Sequence, residues 1–176
     1  MTETTTIAEG ATETATGADG DRRVVVGLDD SVGARTALRY AMAEARRLGG
    51  VLEVVTAFVS PERLAVLLRV PLVAAREEFA AAAEAAARAV VDEVLAAARI
   101  EDPGAVEPVV VVRAMPGDPG PVLAEASAGA ARLVVGHRGR GRATTAALGS
   151  VGWWCLRHAT CPVTVVPPAG TARPVP

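Results

Sequence analysis

Gly136, Gly139, Gly149 and Ser150 follow the order Gly, two residues, Gly, nine residues, Gly-Ser, a spacing that bears on anion chemistry. Gly136 and Gly139 carry no side chain, so their N–H groups can approach an anion closely or take up positive φ. Gly149-Ser150 precedes a helix-like segment, and the free N–H groups and dipole of a helix start attract negative charge. Ser150 can cap that helix or donate to a phosphate oxygen, and Arg138, Arg140 and Arg142 add positive charge over the loop. These residues describe a polyphosphate cradle made mostly of backbone. The competing reading is a glycine-rich turn before an ordinary helix cap, in a chain that holds 17 Gly. A carboxylate at Asp29 adds a second chemical group, suited to a ribose hydroxyl, an adenine amino group or a phosphate-borne metal. Asp30 and Ser31 already offer helix caps, so Asp29 is expected to do something else.

The elements that would position these groups are read from apolar patterning. Arg23 to Leu28 is a short apolar run, as in a strand buried on both faces. A helix pattern follows, with Ala34, Ala37, Leu38, Ala41, Met42, Ala45 and Leu48 three or four apart and Gly49-Gly50 as the stop. Val51 to Val59 reads as a second strand, ended by Ser60-Pro61. A short helical piece, Glu62 to Leu68, is broken at Pro71. A longer one runs from about Leu72 to Arg99, with Phe79, Ala83, Ala86, Val90 and Val94 as its apolar stripe. Val109 to Val112 is the third strand, and Asp118-Pro119 opens a helix to about Ala128. Leu133 to Val135, Ser150 to His158 and Val163 to Val166 complete the set as strand, helix and strand. This alternation predicts an α/β fold: an open, five-stranded parallel sheet with helices on both faces. In such sheets ligands sit beyond the carboxyl ends of the strands where strand order reverses, which points to Gly27-Leu28-Asp29 and Gly136.

Composition narrows the chemistry. The chain has 176 residues, enough for one domain with tails, and its hydrophobic share of 51% is that of a globular protein. Residues 1–22, rich in Thr, Ala, Gly and acids, are expected to form a disordered tail, and 168–176 a loose, Pro-rich one. The folded unit is then 23–167. A net charge of -2 provides no global field for nucleic acid or an anionic membrane. No apolar run approaches a membrane span and no signal peptide precedes the first strand, so a cytoplasmic location is expected. All 18 basic residues are Arg. Without Lys there is no Walker A loop and no Schiff-base chemistry.

The chain resembles the universal stress protein family, whose ATP-binding members carry a Gly-x2-Gly-x9-Gly-Ser/Thr loop. Gly136, Gly139, Gly149 and Ser150 match that motif, LRHATCPVTVV resembles the family's final segment, and VVVGLDDS resembles its first strand, with Asp30 in place of glycine. The resemblance implies a homodimer formed through the last strand and ATP, with Mg2+, bound between the ends of strands one and four. By position, Gly27, Leu28 and Asp29 would line the nucleoside, Ala57 would touch adenine and Val135 would flank the ribose. The loop from Gly136 through Arg138, Gly139 and Arg140 to Gly149, Ser150 and Val151 would hold the phosphates. It further implies a nucleotide-dependent regulator or sensor in stress response, with slow ATP hydrolysis at most, since no general base or Lys can be assigned.

One departure lies downstream. Many relatives continue Gly-Ser-Val-Ser, whereas this chain has Gly152, Trp153 and Trp154. A hydroxyl missing at 152 removes one phosphate contact, worth about 0.5–1.5 kcal/mol. Adjacent helical positions point in different directions, so one Trp is expected to reach the core or a dimer edge and the other to be at least partly exposed. The alternative function is a dimeric interaction module that binds no nucleotide and presents Trp153 and Trp154 to an unidentified protein partner. Cys155, His158 and Cys161 lack the fourth ligand of a closed zinc site and are expected to be structural. His137 is expected to face solvent.

Overall fold

A computed structural model describes residues 22–69, 75–137 and 148–167. Its five strands are β1 (Val24–Gly27), β2 (Val51–Phe58), β3 (Val109–Pro116), β4 (Arg132–Gly136) and β5 (Val163–Val166). All pair in parallel, in the order β3-β2-β1-β4-β5. Each turn from one strand to the next must therefore cross a face of the sheet, and the helices are those crossovers. Strand order reverses between β1 and β4, which leaves a crevice at their carboxyl ends.

The helices are α1 (Val32–Leu48), α2 (Pro61–Leu68), α3 (Arg76–Glu101), α4 (Pro119–Ala126) and α5 (Ser150–His158). Two cores result. On one face α1 and α3 bury Leu38, Ala41, Val91 and Val94 against Val24, Val26, Leu52 and Val134. On the other, α4 and α5 bury Val122, Leu123 and Cys155 against Val25, Val55, Leu133 and Val135. The alternation of Val24 and Val26 with Val25 between the two cores explains why β1 is apolar at every position.

Capping fixes α1. The Ser31 hydroxyl accepts from the Ala34 N–H at 3.1 Å, and Gly49 ends the helix at φ +60°, with its N–H and that of Gly50 donating to Arg46 and Ala45 carbonyls.

Some sequence-based bounds shift. Beyond the expected Val112, β3 continues to Pro116, because Met115 still packs into the second core. α4 ends at Ala126, not Ala128. The expected start of the long helix near Leu72 falls outside the described residues, within which α3 begins at Arg76. Its buried stripe is Ala87, Val91 and Val94, with Ala86 exposed. In a run of alanines the apolar contrast that reveals a helix face is weak, and adjacent Val90 and Val91 fit either phase.

One charge cluster spans the sheet. Glu53 on β2 is buried, yet its two oxygens meet the guanidinium groups of Arg23 and Arg113, the latter at 2.8 Å. Arg23 also donates to the Ala126 and Ala128 carbonyls, at 2.9 and 2.7 Å, so this buried carboxylate ties the end of α4 to the sheet.

Candidate functional site

At the switch point a cleft of about 540 Å³ opens between the ends of β1, β2 and β4 and the starts of α4 and α5. Gly27, Leu28, Asp29, Ala57, Val135, Gly136, Gly149, Ser150 and Val151 all line it, so nine of the residues singled out by sequence meet at one place. Arg138, Gly139 and Arg140 lie outside the described residues. Gly152, whose missing hydroxyl was noted, also lines the cleft, and so do Ala34, Val55, Thr56, Pro119, Leu123 and Leu148, which were not anticipated. Most are apolar residues indistinguishable in sequence from core; Pro119 was visible only as a helix-start signal.

The backbone ends of the glycine-rich loop are pinned together. The His137 N–H donates to the Val166 carbonyl at 2.7 Å, and the Gly149 N–H donates to the His137 carbonyl at 3.0 Å. The loop's two stems therefore sit side by side at the cleft. Gly136 has a packing reason of its own: a Cβ there would lie 2.9 Å from the Gly33 carbonyl carbon and oxygen at the start of α1. Gly27 likewise lies under the Leu123 side chain, 2.6 Å from where a Cβ would be.

α5 begins at Ser150 with Gly149, in extended backbone, as its cap residue, and no side chain caps it. Of the two roles read for Ser150, helix cap or phosphate donor, the first falls to Gly149. The first intrahelical bond runs from the Trp153 N–H to the Gly149 carbonyl at 3.0 Å. The N–H groups of Ser150, Val151 and Gly152 thus have no partner within the helix, and all three residues line the cleft. That is an anion-favouring wall.

The opposite wall offers a different group. β1 ends at Gly27, paired with Val55, and the Leu28 N–H donates to the Val55 carbonyl at 2.9 Å. In a parallel ladder alternate residues turn their N–H and C=O to the same side. Two residues on, Ala57 therefore directs its backbone groups toward the β1 side, where the strand has ended.

Asp29 is the one ionisable residue among the described cleft residues. Its Oδ1 accepts from both the N–H and the hydroxyl of Ser31, the former at 3.0 Å. Its role is thus partly to orient the α1 cap, contrary to the expectation that the neighbouring caps leave it free. Asp118 is the N-cap residue of α4, as expected, but its side chain makes no cap bond and instead pairs with Arg63 at 3.0 Å.

Neither Trp is buried. Trp153 is 57% exposed and Trp154 43%, so neither reaches the core, which leaves a dimer edge as the other expected place for one of them. Trp154 lies over Gly120 and stacks on His158 with centroids 4.2 Å apart. The space above Gly152 is filled by the Leu148 side chain, 2.8 Å from where a Cβ would sit. His137 is half-buried, and its Nδ1 is buried with no hydrogen-bond partner among the described residues, so it does not simply face solvent. Cys155 and Cys161 are free thiols, and no cluster of three or more His, Cys, Asp or Glu among the described residues could hold a metal. Burial pushes the Cys155 thiol up to about 11. The described part of the cleft offers only Asp29 as a carboxylate, so Mg2+ there would have to be carried largely by phosphate oxygens.

Sheet order and crevice define an α/β protein of the doubly wound type with a ligand-sized cleft at its switch point. The chain belongs to the universal stress protein family, whose family model matches residues 21–167. It is 34% identical over 153 residues to universal stress protein Rv2623 of Mycobacterium tuberculosis, covering 87% of this chain. The chain spans about half the length of that relative, 50%. Among solved structures it is similar to a universal stress protein in complex with cAMP, at 27% identity and a TM-score of 0.53, covering 82% of this chain and 94% of that one. A family member from Burkholderia pseudomallei is 26% identical with a TM-score of 0.52, covering 87% of this chain and all of that one, 100%. No helix among the described residues is long and apolar enough to cross a membrane.

Proposed function

We propose that this chain binds an adenine nucleotide, ATP with its Mg2+, in the switch-point cleft and serves as a nucleotide-dependent regulator in stress response. The observation that carries the reading is the pairing of two backbone features across one cleft. The open N–H groups at the start of α5 suit phosphate, and the outward N–H and C=O of Ala57 suit the N1 acceptor and N6 amino donor of adenine. The cAMP complex of the similar structure supports an adenine ligand. Leu28, Ala34, Val55 and Val135 supply apolar walls for the base and sugar, and Asp29 is within the same lining for a ribose hydroxyl.

Calorimetric titration with Mg-ATP, Mg-GTP and cAMP tests this. Adenine nucleotides bind and GTP binds at least tenfold more weakly, about 1.4 kcal/mol, because guanine reverses the donor and acceptor order along that edge. Absence of heat at millimolar Mg-ATP and cAMP sinks the proposal. Hydrolysis, if measured, is slow, since the one described carboxylate in the cleft is engaged by Ser31.

The second part of the proposal is a homodimer through β5, an edge of the sheet. On α5, Gly152 and Cys155 face the core and Trp154 faces α4. At about 100° per residue, Leu156 and Trp153 fall on the other flank. They are 47% and 57% exposed and extend that strand edge with apolar surface. Replacing Trp153 and Leu156 by Arg shifts sedimentation from dimer to monomer; a wild-type profile with both changes argues against this surface. If nucleotide fails to bind while those variants still lose a partner, the interaction-module reading takes over.

A further inference from the structure

We propose that Trp154, which does not line the cleft, is a positioning residue that sets the cleft's width and reports its occupancy. The inference rests on the nucleotide-binding reading of the cleft. One side of the cleft consists of two helix starts, Pro119 and Leu123 from α4 and Gly149 to Gly152 from α5. Among the contacts between these two helices, one lies right at their starts. The Trp154 indole presses on Gly120, so closely that a Cβ on Gly120 would lie 2.6 Å from the indole Cγ and 2.9 Å from Cδ1. Ring meets bare backbone there, with no side chain between them. The Cys155 thiol, next in the chain, approaches the Gly120 carbonyl at 4.0 Å. On α5 the indole stacks against His158 at 16° between planes, and the His158 Nδ1 lies 2.8 Å from the Trp154 carbonyl oxygen. The ring is therefore fixed in place although 43% of the residue is exposed.

Cleft and contact are close along both helices. Gly120 directly follows the cleft residue Pro119, and Trp154 follows the cleft residue Gly152 by two positions. A helix is stiff over a single turn, so the two starts cannot change their separation without changing the Gly120–Trp154 contact. A ligand gripped between Pro119, Leu123 and the α5 N–H groups must act on that contact, and the contact must act on the ligand. Binding sites lose affinity steeply when their supporting groups shift by an ångström.

The experiment uses the full chain with Trp153 replaced by Phe, which leaves Trp154 as the one indole of the two in the sequence. Titration with Mg-ATP produces a saturable change in Trp154 emission, and its midpoint equals the calorimetric Kd. Trp154→Ala weakens binding about tenfold while Trp154→Phe, which keeps a ring on Gly120, restores it to within about threefold. Gly120→Ala weakens binding more when Trp154 is present than in the Trp154→Ala background, because the ring is gone there and only the residue-154 Cβ, 2.8 Å away, remains. Should Trp154→Ala not fold, the Phe and Gly120→Ala variants carry the same comparison. Calorimetric binding with unchanged emission and an unchanged Kd in Gly120→Ala overturns this proposal and leaves the nucleotide reading standing. No calorimetric binding in any variant, wild type included, overturns both.

Discussion

Gly136 illustrates how a glycine in a binding motif can be required for reasons other than the ligand. The backbone of Gly33 occupies the place of its missing Cβ, at 2.9 Å. Backbone cannot rotate away as a side chain can, so Gly136→Ala is expected to destabilise the fold by about 1–3 kcal/mol, read as a lower urea midpoint. An unchanged midpoint would return Gly136 to a purely ligand-facing role. Cys155 carries a second expectation at this scale. It is fully buried, and burial raises its thiol from 9.0 to about 11. Folding thus favours the protonated thiol. Its contribution is complete below pH 9 and is lost as the pH rises through about 11, amounting to roughly 2–3 kcal/mol. Urea titrations between pH 8 and pH 11 should show a steeper loss in wild type than in Cys155→Ala. Parallel curves would mean that the thiol does not titrate with folding.

At the scale of elements, α3 and α5 behaved differently from one another. In α5 the sequence carries its own landmarks, a Gly-Ser start, a buried Cys155 and a Pro162 beyond the end, and the helix spans the expected Ser150–His158. In α3 the alanines leave the helix unmistakable but its rotation undetermined by pattern. The structure buries Ala87 and exposes Ala86, one position from the expected stripe. Ala87→Glu should cost upwards of about 2 kcal/mol by placing a carboxylate in the core, whereas Ala86→Glu should stay within about 0.5 kcal/mol. Thermal denaturation of the two variants decides between the phases; equal losses would contradict the observed one. α4 shows a third behaviour. Its start was legible from Asp118-Pro119, and Asp118 is the N-cap residue, yet its carboxylate turns to Arg63, 55 residues away in sequence, instead of accepting from the helix N–H groups. No local pattern encodes that choice.

For the molecule as a whole, ligand binding and stability are linked. A nucleotide that binds only the folded state stabilises it by RT ln(1 + [L]/Kd), about 2.7 kcal/mol at a hundredfold excess over Kd. Mg-ATP and cAMP should therefore raise the melting temperature in a concentration-dependent way, and Mg-GTP should need at least tenfold more ligand for the same rise. The same assay bears on chain organisation. If 23–167 is the folding unit, a chain cut to those residues melts where the full chain does; a marked fall would show that the flanking segments contribute to the fold.

Sequence alone determined the class of this protein. The alternation of apolar strands with periodic helices dictates a parallel sheet, since each strand buried on both faces needs a helix on either side. The chain ends of β1 and β4 could be named because a reversal in strand order is where such sheets leave space. Nine of the proposed site residues indeed line one cleft, because strand ends and glycine turns are local features. What tertiary structure alone decided is everything set by contacts distant in sequence. Leu123, Leu148 and Gly152 are cleft walls only because α4 and α5 converge there. Asp29 is engaged by Ser31, and Gly136 is needed by the approach of α1. The Trp pair, read from sequence as one at the core or a dimer edge and one at least partly exposed, has both rings outside the core of the chain, 57% and 43% exposed. Trp154 found Gly120, 34 residues earlier, because a missing side chain on one helix is the complement of a large one on the next, and only packing brings the two together.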